Sequence, residues 1–120
     1  MITKRASYDI KYKYNIDFNN IVYLFKCCNN PNISYIGHTI RPLKLRIKEH
    51  LKPPSPIADH LLSCLHCTNQ PVKNLFSILE HNYNYQSLRI LEAVYIHNNK
   101  PSLNDQLTSS NFNSHMLRTV

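Results

Sequence analysis

Residues 21–50 read IVYLFKCCNNPNISYIGHTIRPLKLRIKEH, and three consecutive structural elements can be predicted from them. The segment IVYLFKC (21–27) is β-branched and aromatic and stops at the turn cluster CCNNPN, so it predicts a strand. The segment ISYIGHT (33–39) predicts a second strand, antiparallel to the first. Pro42 stands where a helix would begin, and leucine or isoleucine recurs at four-residue spacing after it, which predicts a helix over 42–51.

Three more elements are predicted downstream of this stretch. Ser55 followed by proline is a helix start signal and predicts a helix over 56–65. The segment NLFSILEH (74–81) predicts a third strand, and a longer helix follows over 86–98. The third strand would turn three residues to one face: Leu75, Ser77 and Leu79. The order β-β-α-α-β-α indicates an α+β fold, a small three-stranded antiparallel sheet flanked by helices.

The composition narrows the class of protein. The 120 residues carry 14 Lys+Arg against 7 Asp+Glu, a formal net charge of +7, which favours a polyanionic partner such as nucleic acid. The longest apolar run covers 21–25, far short of the ~20 residues that a membrane span requires, and no signal peptide is visible. Four cysteines in such a chain favour thiols or metal ligands over disulfides. With a single glycine, Gly37, the chain has no glycine-rich phosphate loop.

The chain is expected to form one domain. Residues 1–20 look like a basic N-terminal arm, residues 21–107 form the folded domain, and 108–120 form a loose C-terminal tail.

Five sequence blocks occur in a fixed order: IVY (21–23), YIG (35–37), GHTIRPLKLRIKEH (37–50), ILEAVYI (90–96) and NKPSLN (99–104). Their order and spacing resemble the GIY-YIG nuclease superfamily over residues 21–107. The first block departs from the family pattern, because Ile21 replaces its glycine and Val22 the following isoleucine. The tyrosine with a chemical role in the family is present as Tyr23.

Within the superfamily the chain is most similar to the endonuclease domain of Penelope-like retroelements. The resemblance rests on the pair Cys27-Cys28 between the tyrosine motifs, on IADHLLSCLH (57–66) and on IHNNKPSLNDQL (96–107). It implies a nuclear enzyme that nicks target DNA, so that a reverse transcriptase domain of the parent polyprotein can prime on the released 3′-hydroxyl. A chain with only this module would then be a fragment or a domesticated copy.

Arg46 and His50 lie at i and i+4 and therefore share one face of the first predicted helix, with Arg46 at the rim of the core. There a guanidinium can present a planar fork to a phosphate. The alternative is a solvated basic face. The other basic residues of this region are predicted to bind DNA: Arg41, Lys44, Lys48 and Lys52.

Glu92 lies beside the apolar stripe of the last helix, where a carboxylate is costly unless a cation neutralises it. Hard oxygen ligands suit Mg²⁺, with Mn²⁺ as the other candidate. The alternative is an ion pair with Arg89 at i−3. In the family the glutamate that matches Glu92 binds the metal, and the asparagine that matches Asn104 helps to fix the site.

Tyr23 and Tyr35 have two interpretations. Tyrosines in strands usually serve packing. The family resemblance instead implies that Tyr23 is the general base and that Tyr35 hydrogen-bonds water or phosphate. A phenol is a poor base unless a cation lowers its pKa. Whether Tyr23 or His50 moves the proton stays open at this point.

A structural zinc site separate from the catalytic metal is a further hypothesis. The Penelope resemblance implies a Cys2His2 set: Cys27, Cys28, His60 and His66. Cys64 and Cys67 fall on one helical face with His60 and could replace a member of this set. Thiolate with imidazole favours tetrahedral Zn²⁺. The alternative is that the cysteines are small buried apolar residues and the histidines lie on the surface.

The alternative function is a catalytically inactive nucleic-acid-binding module, stabilised by zinc and derived from such a nuclease. The weak first motif favours it. The joint presence of six site residues argues against it: Tyr23, Tyr35, Arg46, His50, Glu92 and Asn104.

Overall fold

The sheet predicted from the sequence is present. The computed structural model describes residues 16–104. In them β1 (Ile21–Lys26), β2 (Ser34–Thr39) and β3 (Phe76–His81) form one antiparallel sheet in the order β2-β1-β3. Strand β1 is central, and β2 lies at an edge. The predicted α+β fold with a three-stranded antiparallel sheet is confirmed.

Helices surround this sheet, and local sequence signals set their ends. The described residues contain α1 (Leu43–His50), α2 (Pro56–Ser63), α3 (Leu65–Thr68), a 3-10 helix (Val72–Leu75) and α4 (Tyr85–Asn99). The Ser55 hydroxyl caps α2 by accepting the Ala58 N–H at 3.4 Å, and Asn84 caps α4 by accepting the Ser87 N–H at 2.9 Å. These caps place both helix starts close to the predicted positions.

The predicted helix over 56–65 is in fact two helices. Cys64 has an extended backbone (φ −119°, ψ 102°), so α2 ends at Ser63 and the short α3 begins at Leu65. The chain therefore changes direction at Cys64, between α2 and α3.

The alternation of side chains along β1 divides the core into two clusters. Ile21, Tyr23 and Phe25 point to what is called here the tyrosine face, which α1, α2 and α3 cover. Val22 points to the α4 face, where it packs with residues of β2, β3 and α4. All four of these β1 residues are fully buried, so the sheet lies between two layers of helices.

The predicted facing of the third strand is wrong. Leu75 belongs to the 3-10 helix and packs on the tyrosine face, whereas Leu79 packs on the α4 face. The strand starts at Phe76, so the period-two pattern cannot be extended back to Leu75. The β1–β3 register also shifts between Val22 and Tyr23, a bulge next to the tyrosine.

The segment before β1 contacts α1. The N–H groups of Leu43 and Lys44 donate to the carbonyl oxygens of Phe18 and Ile16, each at 2.9 Å, which satisfies two orphan donors of the helix. Most of the predicted arm (1–20) and the whole predicted tail (108–120) lie outside the described residues. Within residues 16–104 no helix has the length and apolar character needed to cross a membrane.

Candidate active site and metal centre

Tyr23 and Tyr35 project from neighbouring strands onto the tyrosine face. Tyr23 pairs with Gly37 and Tyr35 with Phe25, so the phenols are diagonal neighbours with ring centroids 6.3 Å apart. Gly37 leaves room for both rings, because a Cβ there would lie 2.6 Å from Tyr23 Oη and 3.0 Å from Tyr35 Cε1. The first of these distances is a clash. Gly37 is therefore required because the Tyr23 phenol leaves no room for a Cβ. Its backbone φ is not positive, so the requirement is steric and not conformational.

His50 is the last residue of α1 and is buried against both tyrosines. Its Nε2 lies 2.7 Å from Tyr23 Oη, and its ring centroid lies 4.9 Å from that of Tyr35. Burial, and then the positive charge of Arg46, lowers the pKa of His50 to about 4. The imidazole is therefore neutral near pH 7. In the tautomer that carries its proton on Nδ1, Nε2 accepts the hydrogen bond that the Tyr23 hydroxyl donates.

Both phenols stay protonated near neutral pH. Burial raises the pKa of Tyr23, the charges of Tyr35 and Glu92 raise it further, and Arg46 only partly offsets these effects. Burial also raises the pKa of Tyr35 despite Arg46. A free Tyr23 phenolate is thus unfavourable. Tyr23 can take a proton from water if its own proton passes to His50 at the same time.

Arg46 lies half-buried beside the two phenols, with 32% of its side chain exposed. Its Nη1 is 3.2 Å from Glu49 Oε1, and Arg41 Nη2 is 2.5 Å from Glu49 Oε2. Its positive charge favours the ionised form of both tyrosines and so opposes the larger effect of burial on their pKa. This effect shows that the guanidinium lies close to the two phenols. Glu49, which the sequence analysis did not single out, lies between the two guanidinium groups and orients Arg46.

Glu92 lies on α4 and contacts β2, not its helix neighbour Arg89. Its Oε1 is 2.9 Å from His38 Nδ1, and its side chain is 24% exposed. The Arg89 guanidinium lies 5.8 Å from the Tyr85 ring centroid. The negative charge of Glu92 raises the pKa of Tyr23, so it lies near the phenols. A half-buried carboxylate in this position fits a divalent cation, which prefers oxygen ligands.

Asn104 holds the edge strand from outside the sheet. Its Oδ1 accepts the Ile36 N–H at 2.7 Å, and its Nδ2 donates to the Ile36 carbonyl at 2.8 Å. Lys100 ends α4 in the left-handed conformation (φ 46°, ψ 58°), and the buried Pro101 begins the turn that brings Asn104 back to β2. Ile36 lies between Tyr35 and Gly37, so Asn104 helps to position these two residues. Its bonds to the Ile36 backbone do not involve either phenol.

The predicted DNA-binding residues are exposed and lie on α1 or next to its ends: Arg41, Lys44, Lys48 and Lys52. Two of them make surface ion pairs, Arg41 with Glu49 and Lys44 with Asp17 at 3.0 Å. Such pairs contribute little to stability, so these side chains stay available to a phosphate backbone.

The cysteines gather where the β1–β2 turn meets α2 and α3. The ligand atoms of four residues lie within 4.8 Å of one another: Cys27, His60, Cys64 and Cys67. This group differs from the set that the family resemblance implied. Cys28 lies outside the group, although its Sγ is 3.7 Å from that of Cys67, and His66 is exposed on α3. Cys64 and Cys67 belong to the group instead of Cys28 and His66, because the break at Cys64 brings both thiols close to Cys27.

Three of the ligand-to-ligand distances in this group match a tetrahedral zinc site. The Cys27 Sγ lies 3.9 Å from that of Cys64 and 3.6 Å from that of Cys67, and Cys67 Sγ lies 3.8 Å from His60 Nε2. Zinc–sulfur bonds of about 2.3 Å in a tetrahedron separate two sulfurs by about 3.8 Å. Burial alone raises the pKa of the Cys27 thiol, but the backbone at Asn29 and Asn30 and the His60 side chain together lower it. These residues fit Zn²⁺.

His38 is the other site residue that the sequence analysis did not single out. A signal was present, because His38 directly follows YIG and alternation turns it to the α4 face with Ile36. Its partner Glu92 is remote in sequence, so only the packing of α4 on the sheet brings the two side chains together.

A family model described as the GIY-YIG catalytic domain matches residues 19–105. The match spans the whole sheet, all of α1–α4 and Asn104. No curated protein and no solved structure matches the chain.

The depressed pKa of His50 predicts a pH-dependent stability. Between the ordinary value of 6.5 and about 4, the unfolded state binds more protons than the folded state. The stability that the neutral, buried His50 contributes to the folded state is complete above pH 6.5 and is lost as pH falls toward 4. The free energy of unfolding should drop by about 2 kcal/mol more in the parent than in His50→Gln between about pH 7 and pH 5, measured by urea denaturation. His97→Ala, at an exposed site on α4, should follow the parent. Equal pH slopes in the parent and His50→Gln would contradict this environment for His50.

Proposed function

Because the chain belongs to the GIY-YIG nuclease family, we propose that it is a metal-dependent DNA endonuclease that hydrolyses phosphodiester bonds. The buried hydrogen bond from Tyr23 to a neutral His50 carries the proposal, since it pairs a proton donor with an acceptor beside a guanidinium and a carboxylate. The residues proposed to act in catalysis are Tyr23, Tyr35, Arg46, His50, Glu92 and Asn104.

Proton transfer is assigned to the pair of Tyr23 and His50. The attacking water gives its proton to Tyr23 Oη while the tyrosine proton passes to His50 Nε2 across the 2.7 Å hydrogen bond. The water oxygen forms a bond to phosphorus, and the bond from phosphorus to the 3′-oxygen breaks, which releases the 3′-hydroxyl after protonation from solvent. The raised pKa of Tyr23 supports this relay over attack by a preformed phenolate.

Arg46 is assigned to the negative charge that develops on the phosphate. Its guanidinium is half-buried beside the phenols, and Glu49 restrains it from the outer side. Tyr35 lies beside Tyr23, with ring centroids 6.3 Å apart, and would offer a hydrogen bond to water or phosphate. Glu92 would hold Mg²⁺ or Mn²⁺, and such an ion supplies charge stabilisation at the phosphate oxygens. Asn104 positions the strand that carries Tyr35.

The exposed basic side chains along α1 would bind the DNA backbone. Arg41, Lys44, Lys48 and Lys52 are exposed on or next to the helix that carries Arg46 and His50. Backbone contacts of this kind give sequence-independent, salt-sensitive affinity. A net charge of +7 supports the same partner.

A retroelement role is the finer part of the proposal. The Cys/His group joins the turn between the two tyrosine strands to α2 and α3, which supports a zinc-stabilised module. Two of its four members, Cys27 and His60, belong to the set that the Penelope resemblance implies. In that setting the enzyme would nick nuclear target DNA and release a 3′-hydroxyl for a reverse transcriptase domain of the same polyprotein.

Zinc would stabilise this end of the fold. The proposed ligands are Cys27, His60, Cys64 and Cys67, whose ligand atoms all lie within 4.8 Å of one another. The two sulfur–sulfur distances from Cys27 are those of a tetrahedral site. The Phe25 ring touches both His60, at 6.0 Å between centroids, and Phe76, at 5.3 Å. Phe76 in turn contacts Tyr23 at 6.1 Å, so loss of zinc would also disturb the tyrosines.

The first test is cleavage of a supercoiled plasmid with Mg²⁺ or Mn²⁺. Glu92→Ala should abolish cleavage and leave DNA affinity nearly intact, because binding rests on the exposed basic side chains. Arg46→Ala should lower the single-turnover rate by about 10²–10³, the loss typical of removing one transition-state donor. Lys48→Ala, the matched control on the same helix, should mainly weaken binding and flatten its salt dependence.

Three outcomes would contradict the proposed function. Equal nicking by Glu92→Ala and the parent would remove Glu92 from the metal site. Identical behaviour of Arg46→Ala and Lys48→Ala would reduce Arg46 to part of a charged surface. A folded parent that binds DNA and never cuts it would be the inactive binding module. In that case the buried Ile21, which replaces the glycine of the family motif, would serve only the packing of the core.

The zinc prediction has a matched control within the chain. Purified protein should hold about one zinc per chain, and chelation should lower its melting temperature. Cys64→Ser and Cys67→Ser should lose the zinc, whereas Cys28→Ser and His66→Ala should keep it. Loss of zinc from Cys28→Ser with retention in Cys64→Ser would restore the ligand set that the family resemblance implies, and zinc-free protein with an unchanged melting curve would leave only packing.

A further inference from the structure

His38 occupies the side of the edge strand opposite to the tyrosines. It pairs with Val22 of β1, and its ring faces α4, where the Tyr85 ring centroid is 5.8 Å away. Gly37, the residue before it, lies beneath the Tyr23 phenol. His38 therefore adjoins the proposed reaction centre and points to the helix that carries Glu92.

The Nδ1 atom of His38 is buried and lacks a hydrogen-bond partner among the described residues. It nevertheless lies 2.9 Å from Glu92 Oε1, so the contact is close but poorly aligned for a hydrogen bond. A buried nitrogen left in this state is unfavourable, because it has lost its hydrogen bonds to water and gained none in the protein. A cation that both atoms coordinate would satisfy the nitrogen and the carboxylate together.

The separation of the two atoms has the size of an octahedral ligand edge. Bonds of about 2.1 Å to a six-coordinate divalent ion separate adjacent ligand atoms by about 3.0 Å. The observed 2.9 Å between Nδ1 and Oε1 matches it. Both side chains are about three-quarters buried, at 25% and 24% exposed, which restricts other orientations of the ring and the carboxylate.

We propose that His38 is a second protein ligand of the catalytic metal, next to Glu92, and that it makes the site selective for Mn²⁺ over Mg²⁺. This inference rests on the proposed function, since it assumes that Glu92 holds the ion. Magnesium strongly prefers oxygen ligands, whereas first-row transition metals bind imidazole nitrogen. Manganese belongs to that series and also binds carboxylate and water oxygens, so a mixed nitrogen and oxygen site favours it over magnesium. The selectivity follows from the one nitrogen ligand beside the carboxylate.

Mn²⁺ binding to the full-length, zinc-loaded protein tests this assignment without any cleavage reaction. Electron paramagnetic resonance measures free and bound Mn²⁺, its pulsed form detects coupling to a ligand nitrogen, and competition gives the Mg²⁺ affinity. The parent should bind Mn²⁺ with a nitrogen coupling. His38→Ala should lose that coupling and weaken Mn²⁺ binding by about tenfold or more, with a change in Mg²⁺ affinity below about threefold. His38→Gln should show the same loss, which guards against a misfolded alanine variant.

Control variants separate this proposal from the function on which it rests. His97→Ala, at an exposed site on α4, should keep the nitrogen coupling, and Glu92→Ala should lose binding of both ions. A coupling that persists in His38→Ala, or equal losses of Mn²⁺ and Mg²⁺ affinity, would overturn the ligand assignment and leave His38 as a residue that only positions Glu92. A Glu92→Ala variant that binds both ions like the parent would overturn the metal site of the proposed function as well.

Discussion

The hydrogen bond between Tyr23 and His50 is the contact on which the rest of the site depends. It requires that β1 and β2 pair in the register that sets Tyr23 over Gly37, since any side chain at that position would collide with the phenol. It also requires that α1 run to His50, its last residue, so that the imidazole reaches Tyr23 Oη. The partners are buried and uncharged, so their proton can move without creating an isolated phenolate in the core.

Two attachments hold the tyrosine hairpin in place from opposite sides. Asn104 bonds both backbone groups of Ile36 and thereby satisfies an edge strand that would otherwise expose them. At the turn, Cys27 lies in van der Waals range of two thiols from the α2–α3 segment. The Asn104 bonds restrain β2 near Tyr35, and the cysteine group restrains the turn between the strands. The placement of the two tyrosines therefore depends on contacts that lie outside the proposed reaction centre.

Much of this arrangement could be predicted from local sequence patterns, and the remainder depends on packing. Alternation and turn residues located β1 and β2, and Ser55 before a proline located the start of α2. The thiols that approach Cys27 could not be chosen from spacing, because the extended backbone of Cys64 interrupts the helical face that spacing assumes. The contact of His38 with Glu92 likewise arises only when α4 packs across β2.

In the proposed mechanism, the Tyr23 hydroxyl relays the proton of the attacking water to His50. Tyr23→Phe tests it most directly, because the phenyl ring still fills the space over Gly37 and only the hydroxyl is removed. Single-turnover cleavage of a supercoiled plasmid should then fall by about 10²–10⁴, the range expected for loss of general acid–base catalysis, while DNA affinity stays at the parental value. Cleavage by folded Tyr23→Phe at the parental rate would contradict the account.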